Sequence, residues 1–362
     1  MTLSQSDIEA WQKIVPHFKR YNYSEDKMLD YIHNLTELTI PNRKELTALP
    51  ESFGLLQNLQ YLCLDRCKLL TELPESIGQL KNLQKLYIEQ CPNLTTLPES
   101  IGQLKNLQLL EIYFCKNFTA LPNSIGELQN LENLSVSGAK KMITLPEIIG
   151  QLKNLKCLIL DGQGSAITTL PDEIGNLHKL EILDLEFCKK LTQLPNTIGQ
   201  LKNLKILRLS GCDKLTTLPE TIGQLENLEE LNLRFCKKFK TLPENFGEKL
   251  HNVTELNFHC CTNLQSIPES IGNLHNLQFL NLYSCEKLKT LPKNINKLTQ
   301  LKYLTILHCS NLTTVIESIQ NLNQLKDFGF SGCSNLSEEE KTQLKTLFKK
   351  QIDNSLFEAV LG

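Results

Sequence analysis

The chain has 362 residues, a formal net charge of −2 and a hydrophobic content of 41%. This near-neutral balance gives no electrostatic footprint for nucleic acid or for an anionic membrane, so we expect neither as a partner. No uninterrupted apolar run is long enough to span a bilayer. The amino terminus lacks a basic segment followed by an apolar one, so we expect no Sec signal peptide.

Residues 1–34 follow no repeat and have the apolar spacing of two helices. The first begins at Ser6 or Asp7 and ends near Pro16, and the second covers residues 24–33. We predict that residues 1–34 form an amino-terminal helical cap that covers the open end of the following repeats. The alternative is a helical partner-binding tail, which would leave the first repeat uncovered.

One sequence unit recurs along most of the chain. Its clearest copy is LPESIGQLKNLQKLYIEQCPNLTT, residues 73–96, and the spacing is 24 residues, lengthened to 25 in two copies. A fixed period of this length predicts a solenoid, in which each coil buries its apolar face only against its neighbours. Thirteen strand segments, from residues 38–40 to residues 328–330, predict a long parallel sheet with a short helical turn in each coil.

Within the unit, Leu83, Leu86 and Ile88 fit the pattern LxxLxL, and Cys91 and Leu94 follow them. The chain thereby resembles the leucine-rich repeat family, in the class found in plant disease-resistance receptors and some bacterial effectors. The resemblance covers residues 35–336. It implies an α/β fold, a horseshoe-shaped solenoid of about 13 coils with a concave parallel β-sheet, short helical turns on the convex side and helical caps at both ends.

Ten of the 13 cysteines share one repeat position, three residues after the last apolar residue of the strand. In the leucine-rich repeat pattern this position points inward, which implies a buried ladder of reduced thiols. We expect these thiols to act as small apolar groups and weak donors to neighbouring carbonyls, in a reducing cytoplasm. Disulfides between coils are the alternative, although in-register side chains give poor disulfide torsions. The ten are Cys67, Cys91, Cys115, Cys188, Cys212, Cys236, Cys261, Cys285, Cys309 and Cys333.

Residues 337–362 have the pattern of one amphipathic helix, which we predict to be the carboxy-terminal cap. Ser337 and Glu340 fit a capping box at its start. The predicted buried stripe consists of Leu344, Leu347, Phe348, Ile352 and Leu356.

No Walker loop, GxGxxG, GxSxG or HExxH motif is present, so we expect neither an enzyme nor a cofactor. His259, Cys260 and His308 are the candidates for zinc ligands. His308 lies two strands, ~10 Å, away from His259 and Cys260, and the three residues occupy different rows of the sheet. Zinc ligands must instead all reach one point. We therefore predict no metal site.

The residues that alternate with the strand leucines vary between coils and are predicted to face solvent on the concave sheet. Aromatic residues and arginines, the usual anchors of protein interfaces, concentrate there together with acids. The alternative is that exposed strand positions simply tolerate almost any residue. The candidate protein-binding residues are Tyr61, Tyr87, Glu89, Glu111, Tyr113, Phe114, Asp161, Asp184, Glu186, Phe187, Arg208, Arg234 and Phe235.

We expect a monomeric, non-enzymatic scaffold that binds a protein partner. Stand-alone repeats of this kind resemble virulence effectors that intracellular bacteria inject into host cells, which implies translocation into the host cytosol by a non-Sec route. The acidic residues 337–341 are similar to the glutamate-rich tails of some type IV secretion substrates, although a capping box explains them equally. The alternatives are a substrate-recognition component of a ubiquitin ligase, and ligand-sensing repeats of an immune-receptor or small-GTPase-scaffold type.

Overall fold

The computed structural model describes residues 3–162 and 164–350, which belong to two compact units, Met1–Leu180 and Glu181–Gly362. Each unit is a stack of similar coils, in which a strand is followed by a loop and, in most coils, a 3-10 helix that leads to the next strand. Within each unit every strand pairs in parallel with the next one along the chain. The predicted solenoid with a parallel sheet is therefore confirmed.

The first unit begins with three helices, α1 (Gln5–Ile14), α2 (His17–Arg20) and α3 (Glu25–Asn34). Six strands follow: β1 (Glu37–Pro41), β2 (Tyr61–Asp65), β3 (Lys85–Glu89), β4 (Leu109–Tyr113), β5 (Asn133–Ser137) and β6 (Cys157–Ile159). The 3-10 helices of this unit are Glu51–Leu55, Glu75–Gln79, Glu99–Gln103, Asn123–Glu127, Glu147–Gln151 and Asp172–Asn176.

The second unit contains seven strands: β7 (Ile182–Asp184), β8 (Ile206–Arg208), β9 (Glu230–Asn232), β10 (Glu255–Asn257), β11 (Phe279–Asn281), β12 (Tyr303–Thr305) and β13 (Asp327–Gly329). Its 3-10 helices are Asn196–Gln200, Glu220–Gln224, Glu269–Asn273 and Lys293–Lys297. The α-helix α4 (Ile316–Ile319) replaces the 3-10 helix in the degraded last repeat, and α5 (Glu338–Leu347) follows β13.

Buried leucines, a proline and a glycine recur at fixed positions in most coils. The coil after β3 illustrates their roles. Its leucines are fully buried, and a fully buried aliphatic side chain contributes roughly 1.5–3 kcal/mol once its neighbours are in place. Pro98, with φ of −68°, precedes the 3-10 helix Glu99–Gln103, where a missing N–H removes no helical hydrogen bond. Gly102 lacks a Cβ that would lie 2.5 Å from the carbonyl oxygen of Ser124 in the next coil. Close approach of two backbones therefore explains the repeated glycine.

The strands of the second unit are three residues long, whereas β1 to β5 have five. At the ends of β9, β10 and β11, an asparagine side-chain oxygen accepts a hydrogen bond from the backbone N–H two residues ahead. The distances are 3.1 Å for Asn232, 3.1 Å for Asn257 and 2.9 Å for Asn281. Such local bonds offer the backbone an alternative to the strand ladder. These asparagines therefore end their strands, and Asn257 and Asn281 are buried.

The predicted thiol ladder is confirmed. All ten ladder cysteines are at most 2% exposed, and all 13 cysteines of the chain are reduced. Most ladder thiols donate to a carbonyl of the preceding coil, as Cys236 does to Leu209 at 3.1 Å and Cys333 to Ile306 at 3.0 Å. Burial raises the pKa of each of these two thiols to about 12. The ladder is thus a set of buried thiols whose hydrogen bonds to the preceding coils contribute cohesion.

We predict that the folded protein reacts with iodoacetamide only through Cys157 and Cys260, the two half-buried cysteines, because Cys63, which also lies outside the ladder, is only 7% exposed. All 13 should react after denaturation. Because the folded-state pKa of Cys236 lies above the ordinary value of 9.0, its contribution to stability is complete below pH 9.0 and is lost as the pH rises towards about 12. Mass spectrometry of labelled peptides and urea unfolding across the alkaline range measure both effects. Rapid labelling of Cys236 in the folded protein would contradict this account.

The amino-terminal helices pack on the first repeat coil of the first unit. Trp11 is fully buried and stacks on Phe53, with ring centroids 5.6 Å apart. Its indole N–H donates to the hydroxyl of Ser52 at 3.0 Å. Helix α1 begins at Gln5, with Ser4 as its N-cap, which is earlier than predicted. The predictions contain no α2, because its four residues are too few to show a helical period.

At the carboxy-terminal end, Ser337 caps α5 by accepting a hydrogen bond from the backbone N–H of Glu340 at 3.1 Å. The second half of the predicted capping box is wrong. The carboxylate of Glu340 instead accepts from the backbone N–H groups of Val315 and Ile316, at 2.9 Å from the latter. Other coils have proline at the position of Ile316, where no N–H requires a partner. Glu340 therefore compensates for the lost proline.

The predicted apolar stripe of α5 is only partly correct. Leu344 and Phe348 are buried, but Leu347 is 50% exposed, contrary to the prediction. The ring of Phe348 lies 4.9 Å from that of Phe328 on β13. Ile352 and Leu356, also assigned to the stripe, lie outside the described residues.

Candidate functional site

The sheet face is defined here as the side chains of strand residues that alternate with the buried leucines. In the first unit the strand register pairs Tyr87 with Glu111, and Glu89 with Tyr113. These four residues, two from β3 and two from β4, form a tyrosine–glutamate square with each acid beside a tyrosine. The ring of Tyr61 on β2 lies 5.3 Å from that of Tyr87 and extends the aromatic surface.

The two acids of the tyrosine–glutamate square differ from the nearby Asp65. Asp65 is paired with Arg66 at 2.8 Å. Among the described residues, neither Glu89 nor Glu111 forms an ion pair. Burial raises the pKa of Glu111 above its ordinary value, and the negative charge of Glu89 adds to this shift. The tyrosine–glutamate square therefore carries two carboxylates without a direct ion pair in the described part of the chain. The hydrogen bond to Asp65 raises the pKa of the nearby Arg66, and the charge of Glu89 adds to this shift.

Three of the candidate protein-binding residues are phenylalanines that lie in the turn after a strand. The prediction that they lie on the strands is therefore wrong. Phe114, Phe187 and Phe235 have φ of 54°, 58° and 59°, in the left-handed region. Two of the rings occupy space that a glycine leaves in the next coil. A Cβ on Gly138 would lie 2.8 Å from the ring of Phe114, and one on Gly211 would lie 2.7 Å from that of Phe187. Phe114 and Phe187 are thus each accommodated by a glycine in the following coil, whereas Cys260 stands at the equivalent position after Phe235.

Tyr113 and Phe114 are the most exposed of the candidate aromatic residues, at 40% and 48%. Their rings meet edge to face with centroids 4.6 Å apart. Beside Phe114 lies an open hollow of about 350 Å³, also lined by Lys68, Gln90, Pro92 and Lys116. An apolar edge therefore continues from the tyrosine–glutamate square to the turns.

Asp161, the last candidate of the first unit, follows β6 and is half-buried. Its carboxylate accepts a hydrogen bond from the hydroxyl of Ser137 on β5, and Ser137 is itself 3% exposed. Asp161 is therefore already hydrogen-bonded within the fold and is separate from the tyrosine–glutamate square.

In the second unit the candidate charges form an internal network. Arg208 lies 3.6 Å from the carboxylate of Asp184 and 3.3 Å from that of Glu230. Asp184 also accepts a hydrogen bond from the backbone N–H of Glu186 at 3.0 Å and is only 8% exposed. The prediction that Asp184 faces solvent is therefore wrong, because its carboxylate is used inside the fold.

The structure also shows a group of rings that the candidate set includes only in part. Phe235, His259, Tyr283 and His308 come from four successive coils of the second unit, with neighbouring centroids 5.1, 4.7 and 5.3 Å apart. The guanidinium of Arg234 lies 5.4 Å from the ring of Phe235. Burial lowers the pKa of His259, and the charge of Arg234 lowers it further. Aromatic residues two or three positions after four consecutive strands are the sequence signal that could have identified this group.

Across residues 3–162 and 164–350, no three His, Cys, Asp or Glu side chains are grouped so that they could hold a metal ion. Of the three residues considered as zinc ligands, His259 and His308 pack against the ring of Tyr283, and Cys260 lies in a turn. In the same part of the chain, no helix has the length and apolar character needed to cross a membrane.

Comparison with known proteins matches this geometry to a family. A family model described as a leucine-rich repeat region matches residues 15–119, 160–260 and 258–359. Among curated proteins, none matches the chain. The solved structure of a leucine-rich repeat protein of Leptospira interrogans is 33% identical, with a TM-score of 0.64, and the match covers 91% of this chain and 86% of that one.

Two further solved structures are similar to this chain at lower identity. The Toll–Spatzle complex of Drosophila is 19% identical with a TM-score of 0.57, over 86% of this chain and 45% of that one. The leucine-rich repeat domain of the type III effector XopL is 23% identical with a TM-score of 0.49, over 83% and 89% of the two chains. From the family model and the Leptospira protein together, the chain belongs to the leucine-rich repeat family.

Proposed function

We propose that this chain is a non-enzymatic scaffold that binds a partner polypeptide on the sheet face of its coils. Leucine-rich repeat folds generally mediate protein–protein interaction, and no catalytic family is indicated for this chain. Beyond this general role, we propose that the chain is a monomer and that its polypeptide partner binds on the sheet face.

The observation that carries the proposal is that the residues buried between coils differ from those that face outward on the sheet. The repeated leucines and the ladder thiols are buried, so they are used for cohesion between coils. On the sheet face of the first unit, by contrast, Tyr61 and Tyr87 are half-buried and Tyr113 is exposed. Rigid aromatic side chains of this kind give large contact area at low entropic cost and are enriched at interface hot spots.

The proposal predicts that the combined substitution Tyr87→Ala, Glu111→Ala and Tyr113→Ala abolishes partner capture. Loss of two or three hot-spot side chains lowers affinity by at least about 100-fold. The measurement is affinity capture from lysate followed by titration of the captured protein. All three side chains are at least partly exposed, so the fold should persist, which circular dichroism checks.

A matched control lies on the 3-10 helices of the same unit, where Glu127, Glu147 and Gln151 are exposed. Replacing these three by alanine should leave capture intact. If the control variant loses the partner while the sheet-face variant retains it, the binding surface is on the helical side and the proposal fails.

We further propose that the partner belongs to a host cell and that the chain is delivered there as an effector by a non-Sec route. The resemblance to stand-alone effector repeats and the acidic residues 337–341 support this proposal. Of these acids, Glu340 already has a structural role, and Glu338 forms an ion pair with Lys341 at 2.8 Å.

A reporter enzyme fused to residues 337–362 tests delivery. We expect it to appear in host cytosol when expressed in an intracellular bacterium with a type IV secretion system, and not in a strain that lacks this system. Equal reporter signal from the two strains would remove the effector hypothesis and would leave the scaffold proposal unaffected.

A further inference from the structure

We propose that the tyrosine–glutamate square, Tyr87, Glu89, Glu111 and Tyr113, binds a lysine or arginine side chain from a basic segment of the partner polypeptide. This inference rests on the proposed function and specifies the chemistry of its partner.

The strand register places the Cα atoms of the four residues at the corners of one small square on the sheet. Neighbouring strands lie ~4.8 Å apart, and residues two apart on a strand are separated by ~6.6 Å. Because Tyr87 is paired with Glu111 and Glu89 with Tyr113, the acids occupy one diagonal of the square and the tyrosines the other. The centre of the square lies roughly 4 Å from the backbone position of each of its four corners. A cation above that centre is within reach of the two carboxylates, and the Tyr87 and Tyr113 rings, which pack on Tyr61 and Phe114, border it on opposite sides.

The charges of the first unit favour a positively charged occupant. Glu89 and Glu111 are half-buried, and burial together with their mutual repulsion raises the pKa of Glu111. Arg66 is paired with Asp65, and within the described part of the chain no ion pair joins Lys85 to either glutamate. An incoming cation would relieve the repulsion, and a tyrosine ring attracts a cation through its negative face.

The surface beside the square favours a polypeptide over a free small cation as the source of that charge. The exposed pair Tyr113 and Phe114 leads directly to the hollow of about 350 Å³. This hollow can receive an apolar side chain of the segment that carries the basic residue. Lys68 and Lys116 line the hollow, so the positive charge of the partner belongs over the square and not there.

The test uses the full chain and a displayed library of random dodecapeptides, sorted for binding. We expect the selected peptides to be enriched in lysine and arginine, and to lose affinity by at least about tenfold on the variant Glu89→Gln with Glu111→Gln. The control variant Glu127→Gln with Glu147→Gln makes the same charge change on the 3-10 helices and should leave affinity unchanged. Raising the salt concentration should weaken binding to the wild type more than binding to the glutamine variant.

The outcomes separate this inference from the proposed function. Peptides that lose binding on Tyr87→Ala but bind the glutamine variant as tightly as the wild type would overturn the inference and leave a sheet-face scaffold. Selection of acidic peptides would do the same. If none of the selected peptides depends on Tyr87 or Tyr113, both proposals are wrong. Glu→Gln at these sites removes repulsion, so the variant is expected to fold.

Discussion

Trp11→Ala is expected to lower the free energy of unfolding of the amino-terminal coils by about 3–5 kcal/mol. The indole is fully buried against Phe53 and donates to Ser52, so truncation leaves a cavity and an unpaired hydroxyl acceptor. In a stack of coils each coil is stabilised mainly by its neighbours, so the loss of stability should be confined to the coils next to Trp11. Hydrogen exchange should therefore show protection lost in β1 and β2 and retained in β8 to β12.

Ser52→Ala is the matched control for Trp11, because it removes the hydrogen-bond partner and preserves the ring packing. Its cost should be near 1 kcal/mol. The hydroxyl of Ser52 also donates to Asp7 at 2.7 Å. If Trp11→Ala left the protection of β1 unchanged, residues 1–34 would not act as a cap, and the partner-binding tail would be the better interpretation of these helices.

Glu340→Ala is expected to cost about 2–4 kcal/mol, because its carboxylate makes charge-assisted hydrogen bonds to two backbone N–H groups. Removal leaves the N–H groups of Val315 and Ile316 unpaired at a half-buried position. The effect should appear as lost hydrogen-exchange protection in α4 and β13, and as a lower urea midpoint for that end of the chain.

Glu338 and Glu339 provide the comparison for Glu340, since both are exposed members of the same acidic run. Their replacement by alanine should change stability by only a few tenths of a kcal/mol. Equal effects at all three positions would show that the acidic run has no specific role in the fold. A selective effect of Glu340 would confirm that the contact with the degraded repeat is the structural reason for this residue.

The coils could be predicted from the sequence because the leucine pattern repeats at a fixed spacing. A leucine pattern that recurs every 24 residues fixes which side chains are buried, and a one-residue slip would expose every leucine of a strand. The resemblance to the leucine-rich repeat pattern predicted that Cys236 and its equivalents point inward. These predictions depend on repetition and need no knowledge of local backbone angles.

The wrong predictions at the candidate site concern backbone angles and local hydrogen bonds, which do not repeat from coil to coil. Whether Phe114 lies on a strand or in a left-handed turn depends on its φ, which the sequence pattern does not report. The strand alternation predicts that Asp184 is an exposed acid, but it is buried, and its carboxylate is paired with Arg208 in the next coil and with a local backbone N–H. Asn257 and Asn281 look like solvent-facing residues in sequence and instead end strands.

The central claim is that the strand side of the first unit, and not its helical side, contacts the partner. Hydroxyl-radical footprinting of the captured complex tests it most directly, because tyrosine rings are oxidised readily when exposed. We predict that partner binding protects Tyr61, Tyr87 and Tyr113 and leaves the 3-10 helices Asn123–Glu127 and Glu147–Gln151 as reactive as before. Protection confined to those helices, with the three tyrosines still oxidised at the free rate, would contradict it.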